Sequence, residues 1–177
     1  MADSWLSREA ADLRDHIVAC RSARLVDEEY PAVRGSIARI ASRAGASVLT
    51  VSARGEDGRP LSDEEFVARM LPLLDAPTRL AIVSRTSWIS GRVMPVEPIF
   101  ECARATGVLT ILDGAQSVGA RLDSIDTLDP DLLAFPSQKW LLGIEGLAGM
   151  RLSRRALGER GFDPVIGGFL AFSDQPL

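Results

Sequence analysis

The stretch "VLTILDGAQ" (residues 108–116) joins an apolar run to an acid, a glycine and an amide. A short apolar run closed by turn-forming residues is typical of a strand buried on both faces of a parallel sheet. "TRLAIVS" (78–84) and "DLLAF" (131–135) have the same character, and segments with helical periodicity, 31–45 and 94–107, alternate with such strands. This alternation predicts an α/β fold with a mostly parallel sheet flanked by helices.

The rest of the sequence continues this alternation through a single predicted domain, residues 1–177, without an internal repeat or a linker. Pro31 and Gly45 mark the two ends of one helix, and Pro72 is expected to bend or end another helix early. The predicted helices are 4–20, 31–45, 61–76, 94–107 and 154–161, and the predicted strands are 23–30, 46–53, 78–84, 108–113, 131–135 and 147–153.

Composition excludes several classes of function. The formal net charge is −4 and no cluster of basic residues stands out, so we expect no nucleic-acid partner. The sequence contains no signal peptide and no apolar run of transmembrane length, which predicts a cytoplasmic protein without a membrane partner. Cys20 and Cys102 are far apart and match no metal-ligand spacing. We therefore expect free thiols and no metal site.

Polar residues follow three of the predicted strands. Asp113 ends "VLTILD", Ser84 and Arg85 follow "LAIV", and residues 136–139 follow "DLLAF". In open parallel sheets, ligands bind at the carboxyl ends of the strands. The sequence therefore predicts that these residues converge on one edge of the sheet.

Lys139 is the only lysine among the 20 Lys and Arg residues of the chain. A lysine amine in a partly apolar pocket can lose its proton and attack a carbonyl to form an imine, which arginine cannot do. A carboxylate such as Asp113 can hold a pyridine nitrogen protonated, and an amide such as Gln116 can bond the phenolic oxygen of the ring. These three side chains are the working parts of a pyridoxal phosphate (PLP) site.

Each of these residues also has a structural interpretation. Lys139 can be an ordinary surface lysine, and Asp113 can cap a helix that follows its strand. Tyr30 can be a half-buried packing residue. His16, the only histidine, is expected to be a surface or core residue, and the paired glycines at 167–168 are expected to form a turn.

The blocks "SRTSWISGRVMPVEPI", "GVLTILDGAQSVGA" and "DLLAFPSQKWLLGIEGLAGMRL" occur in this order. Together they resemble the central part of the class V aminotransferase family. This family includes cysteine desulfurases, selenocysteine lyases, isopenicillin N epimerase-like enzymes and relatives of kynureninase. The resemblance runs from about residue 26 to about residue 168. It implies part of the large domain of a PLP-dependent enzyme of fold type I.

The resemblance also implies roles for individual residues. Lys139 corresponds to the Schiff-base lysine, Asp113 to the partner of the pyridinium nitrogen, and Gln116 to the ligand of the phenolic oxygen. Tyr30 lies where many relatives place a histidine that stacks on the ring. An amino acid is the implied substrate.

The sequence departs from the family pattern next to the lysine. Relatives usually have Ser-Gly-His there, whereas this chain has Pro136, Ser137 and Gln138. Gln138 can still donate a hydrogen bond to the phosphate, and Ser137 can supply the hydroxyl from the next position. Arg85 and Trp88 replace residues that are commonly histidine and asparagine or tryptophan.

Length is the other departure, because family members are roughly twice this size. The N-terminal phosphate loop and the C-terminal small domain are therefore expected to be absent. Two hypotheses follow. The chain is a PLP-dependent transaminase, lyase, desulfurase or epimerase, or it is a truncated non-catalytic homologue or half of a split enzyme. A homodimer or a complementing partner chain is expected in either case.

Overall fold

A computed structural model describes residues 22–75 and 77–157. The predicted helix 4–20, His16, Cys20, Gly167 and Gly168 lie outside these residues. The described chain forms one six-stranded sheet with the strand order β2-β1-β3-β4-β5-β6. Its strands are β1 (Ser22–Val26), β2 (Ser47–Val51), β3 (Thr78–Ser84), β4 (Leu109–Asp113), β5 (Leu132–Pro136) and β6 (Ala148–Leu152).

Strands β1 to β5 are parallel to one another, and β6 pairs with β5 in the antiparallel direction. The predicted mostly parallel sheet is therefore confirmed. The direction of β6 was not predicted, because an apolar run carries no information on direction. The link from β5 to β6 contains no helix in the structure, and such a short connection favours an antiparallel pair.

Helices α1 (Pro31–Ala44) and α3 (Val96–Thr106) confirm the helices predicted at 31–45 and 94–107. Pro31 occupies the first turn of α1, where its missing N–H costs no hydrogen bond. Gly45 and Gly107 end α1 and α3 in the left-handed conformation, with φ of 66° and 76°. Glycine adopts this conformation without a side-chain clash.

Helix α2 (Asp63–Met70) is shorter than the predicted 61–76, because a 3-10 turn that contains Pro72 (Leu71–Leu73) takes over. A four-residue helix, α4 (Ile125–Leu128), was not predicted, since one turn is too short to have a hydrophobic period. Only 154–157 of the predicted terminal helix is described, and these residues form a turn.

The hydrophobic core lies where α2 and α3 pack with the sheet. Val96, Ile99, Phe100 and Ala103 recur at helical spacing along α3, and all four are fully buried. They join one cluster with Phe66 and with residues of five strands, including Val26, Val51, Val83, Leu112 and Leu133. This packing fixes the strand ends from which the candidate site is built.

Replacing Ser62 with alanine is expected to lower the free energy of unfolding by about 1 kcal/mol. The Ser62 hydroxyl accepts a hydrogen bond from the Glu65 amide, and the Glu65 carboxylate accepts one from the Ser62 amide. Urea unfolding at neutral pH measures the difference. Ser36→Ala is the control, because Ser36 is an exposed residue inside α1. An equal loss in both variants would contradict the capping role.

No helix of the described residues is long and apolar enough to cross a membrane. Within the same residues, no group of three or more His, Cys, Asp or Glu side chains could hold a metal ion. Cys102 is a half-buried free thiol on α3.

Candidate active site

The carboxyl ends of three neighbouring strands bring the predicted site residues to one edge of the sheet. Ser84 pairs with Asp113 in the register of β3 and β4, and Asp113 pairs with Ala134 in the register of β4 and β5. The Arg85 amide then donates to the Asp113 carbonyl at 2.9 Å. The loop that carries Lys139 leaves β5 at this same edge, as the sequence predicts.

Lys139 faces an aromatic ring from another loop. Its Nζ lies 5.8 Å from the centroid of the Tyr30 ring, and the lysine is half-buried. The edge of Trp88 packs against Tyr30, with the ring centroids 5.4 Å apart and the planes at 82°. Tyr30 remains 49% exposed. The amine thus lies beside an accessible aromatic face rather than among solvated charges.

Asp113 has one carboxylate oxygen committed to the turn that follows β4. Its Oδ1 accepts a hydrogen bond from the Ala115 amide at 2.7 Å. The residues after Asp113 form a turn rather than a helix, so this bond is a local turn contact and not a helix cap. The half-buried carboxylate keeps acceptor capacity for a ligand at the strand edge.

Gln116 is hydrogen-bonded to Trp140, the residue that follows Lys139. Its Oε1 accepts a hydrogen bond from Trp140 Nε1 at 2.9 Å. The backbone also approaches closely here, since a Cβ on Gly119 would lie 2.7 Å from the Trp140 carbonyl. This contact uses the amide oxygen of Gln116, and the amide nitrogen of the same side chain keeps two N–H donors.

Ser137 and Gln138 differ in their surroundings. Ser137 is buried, and its hydroxyl donates to the Ile144 carbonyl at 2.6 Å. The loop folds tightly around it, because a Cβ on Gly143 would lie 2.8 Å from Ser137 Cβ. Gln138 is exposed. To donate to a phosphate, the Ser137 hydroxyl would have to turn away from Ile144.

Three consecutive acids follow β1, and the sequence patterns did not single them out. Their carboxylates form hydrogen bonds with serines of other segments at this edge of the sheet. Asp27 accepts from Ser52 Oγ at 2.6 Å, and Glu28 accepts from Ser90 Oγ at 2.7 Å. Glu29 accepts from Ser84 Oγ at 2.7 Å. An acidic run directly after an apolar strand is a visible signal, but its partners become clear only in three dimensions.

Glu29 is buried at the centre of the site. Burial and, to a smaller extent, the adjacent Asp113 carboxyl raise its pKa, and the net value is about 7 instead of 4.5. Hydrogen bonds from Ser84 and from the Tyr30 amide partly offset this rise. The group therefore carries a proton over part of the neutral range.

A family model described as aminotransferase class-V matches residues 10–171. The chain belongs to the class-V aminotransferase family. Isopenicillin N epimerase of Amycolatopsis lactamdurans is 32% identical over 139 residues, which are 78% of this chain and 34% of that protein. Cysteine desulfurase of Haloferax volcanii is 30% identical over 140 residues, which are 79% of this chain and 31% of that protein.

The fold agrees with this family. A solved complex of the cystine C–S lyase C-DES with its product cysteine persulfide superposes with a TM-score of 0.68 at 24% identity. The superposition covers 85% of this chain and 46% of C-DES. These neighbours are PLP-dependent enzymes of fold type I, and the expected fold class is confirmed. The chain spans about a third of the length of the curated relatives it matches.

Arg85 has a structural role in this class-V aminotransferase homologue. Its buried guanidinium forms two hydrogen bonds with Glu97 of α3 and two with Asp123. It also donates to the Met94 carbonyl at 2.8 Å. Arg85 therefore anchors the loop that carries Trp88 to α3 and to Asp123.

Proposed function

We propose that this protein is a PLP-dependent enzyme that acts on an amino acid, with Lys139 as the residue that binds the cofactor covalently. One observation carries the proposal: the only lysine lies beside the accessible ring of Tyr30, at the strand edge that carries Asp113 and Gln116. The amine, carboxylate, amide and aromatic face are the chemical groups that bind the aldehyde and the ring of the cofactor, so the described residues fit that part of it.

Lys139 and Asp113 have different roles in this proposal. Lys139 would hold the aldehyde group of the cofactor through its neutral amine, and the same amine would serve as the base that moves the proton of the α-carbon. When bound, PLP withdraws electrons from that carbon. Asp113 keeps the ring nitrogen protonated, which maintains this electron withdrawal.

The remaining residues orient the ring. Gln116 would donate its amide N–H to the phenolic oxygen, while Trp140 fixes the other end of the same amide. Tyr30 would hold the ring by its aromatic face. The exposed amide of Gln138 donates to the phosphate, and Ser137 contributes its hydroxyl if it turns away from Ile144.

A second chain, either another copy or a complementing partner, completes the site. The loop after Lys139 and strand β6 expose a run of large apolar side chains, which a monomer rarely leaves uncovered. These are Trp140, Leu141, Leu142, Ile144, Leu147 and Met150. A cytoplasmic location stays a prediction from the sequence.

The alternative is a non-catalytic homologue that keeps the fold for assembly. An absorption spectrum of the purified protein with added PLP separates the two functions. An enzyme acquires a band near the visible edge that differs from that of free PLP, alone or with its partner chain. A wild-type protein that acquires no such band under either condition contradicts cofactor binding and favours the alternative.

A further inference from the structure

Glu29 is a buried carboxyl group whose hydrogen bonds are incomplete. Only 1% of its surface is exposed. Its Oε1 accepts from Ser84 Oγ at 2.7 Å and from the Tyr30 amide at 3.0 Å. Its Oε2 is buried and has no partner among the described residues. An unpaired carboxylate oxygen in such a position is costly, whereas a protonated oxygen becomes a donor that needs only an acceptor.

The register of β3 and β4 places Asp113 beside Ser84, and the Ser84 hydroxyl donates to Glu29, so the carboxyl group of Asp113 is the adjacent acceptor. We infer that Glu29 is a positioning residue that shares a proton with Asp113 and thereby holds the Asp113 carboxylate toward the cofactor site. Two like charges this close disfavour each other, and one shared proton replaces the repulsion with a charge-assisted hydrogen bond.

The charged side chains near Glu29 have other partners, so the shared proton compensates the repulsion between the carboxyl groups of Glu29 and Asp113. Glu28 borders the same small cavity as Glu29, and it pairs with Arg54 at 3.4 Å. The guanidinium of Arg85 is committed to Glu97 and Asp123. Val26, Val83 and Met94 form apolar walls of the cavity, and Ser84 and Ser87 also line it. Within the described ranges, no cation forms an ion pair with Glu29.

The link to the cofactor rests on the proposed function, but the shared proton does not. An Asp113 side chain held by Glu29 on one side and by the Ala115 amide on the other presents its charge in one orientation. A hydrogen bond to a charged group corresponds to roughly 10- to 100-fold in an equilibrium constant. We expect loss of the Glu29 donor to weaken retention of PLP within that range.

The first experiment needs no cofactor. The carboxyl carbon of Glu29 is followed by NMR against pH in the cofactor-free full chain, labelled with ¹³C in its glutamate side chains. We expect a midpoint of about 7. Asp113→Asn removes the adjacent charge and places an amide donor there, so the midpoint falls.

Glu28→Gln is the matched control, because Glu28 is a neighbouring buried acid that bonds Ser90 and Arg54 instead of Asp113. This variant is expected to leave the Glu29 midpoint in place. A Glu29 midpoint near 4.5, or one that Asp113→Asn does not lower, overturns the inference whether or not the protein binds PLP.

The pH dependence of the free energy of unfolding is a second measure of the protonation of Glu29. The pKa of Glu29 is higher in the folded state than in the unfolded state. Glu29 therefore contributes fully to the free energy of unfolding below pH 4.5, and this contribution declines as pH rises through about 7. The shift corresponds to roughly 300-fold in the unfolding constant. Glu29→Gln is expected to remove this decline, and an unchanged pH profile would contradict the inference.

Retention of PLP then tests the positioning. Glu29→Gln keeps a donor for Asp113 and is expected to retain PLP like the wild type, whereas Glu29→Ala loses it 10- to 100-fold faster on dialysis. Equal retention in the alanine and wild-type proteins would overturn the positioning role. If the wild type binds no PLP, the proposed function fails, and the titration alone decides whether the proton is shared.

Discussion

Replacing Lys139 with alanine is expected to abolish the visible-edge absorption band that the wild-type protein acquires with PLP. The band belongs to an imine, and an imine requires a primary amine at the aldehyde carbon. The chain has no other lysine, so no neighbouring side chain can substitute for it. The measurement is an absorption spectrum after removal of unbound PLP, and the expected loss is complete.

Lys139→Arg is the informative companion variant. It keeps a positive charge beside the Tyr30 ring, but a guanidinium stays protonated and does not condense with an aldehyde. If the lysine acts only through its charge or by packing, the arginine variant keeps the spectrum of the wild type. If it acts as the covalent residue, both variants lose the band, while far-UV circular dichroism shows that their fold is intact.

Arg85→Ala is expected to lower the free energy of unfolding by about 3 kcal/mol at neutral pH. The guanidinium is 7% exposed and binds Glu97 and Asp123, so its removal leaves the Asp123 carboxylate, whose side chain is 14% exposed, with Arg121 as its remaining partner. Urea unfolding measures the loss. Arg85→Lys is expected to lie between the alanine variant and the wild type, since one ammonium group cannot form both bidentate contacts.

The change in the free energy of unfolding at acid pH tests the same structural role of Arg85. Hydrogen bonding to Arg85 lowers the pKa of Asp123 below 3.8. The pair therefore stabilises the fold above pH 3.8, and this contribution is lost as the pH falls below it. Arg85→Ala should show less of this loss than the wild type. Arg39→Ala is the control, since Arg39 is exposed on α1, and equal losses in both variants would contradict a structural role for Arg85.

The sequence was most informative where local chemistry decides the structure. Apolar runs closed by turn residues predicted the ends of two strands, at Ser84 and Asp113, to the residue. Proline and glycine signals placed the ends of α1. The convergence of polar residues on one sheet edge followed from the parallel topology, because that topology aligns the carboxyl ends of the strands.

The sequence was least informative where distant segments meet. The antiparallel direction of β6 depends on the path of the loop that carries Lys139, which no local pattern encodes. The environment of the Glu29 carboxyl group depends on contacts with Ser84 and Asp113. These residues lie 55 and 84 positions further along the chain. The burial of Glu29, which raises the pKa of its carboxyl group, exists only after β1, β3 and β4 have paired.

Reductive trapping tests the central claim most directly. The wild-type protein is incubated with PLP, treated with borohydride, digested and analysed by peptide mass spectrometry. Borohydride converts an imine into a stable secondary amine and so marks the nitrogen that formed it. The account predicts one cofactor adduct, on the peptide that contains Lys139. An adduct confined to the N-terminal amine, or none when the partner chain is also present, would contradict it.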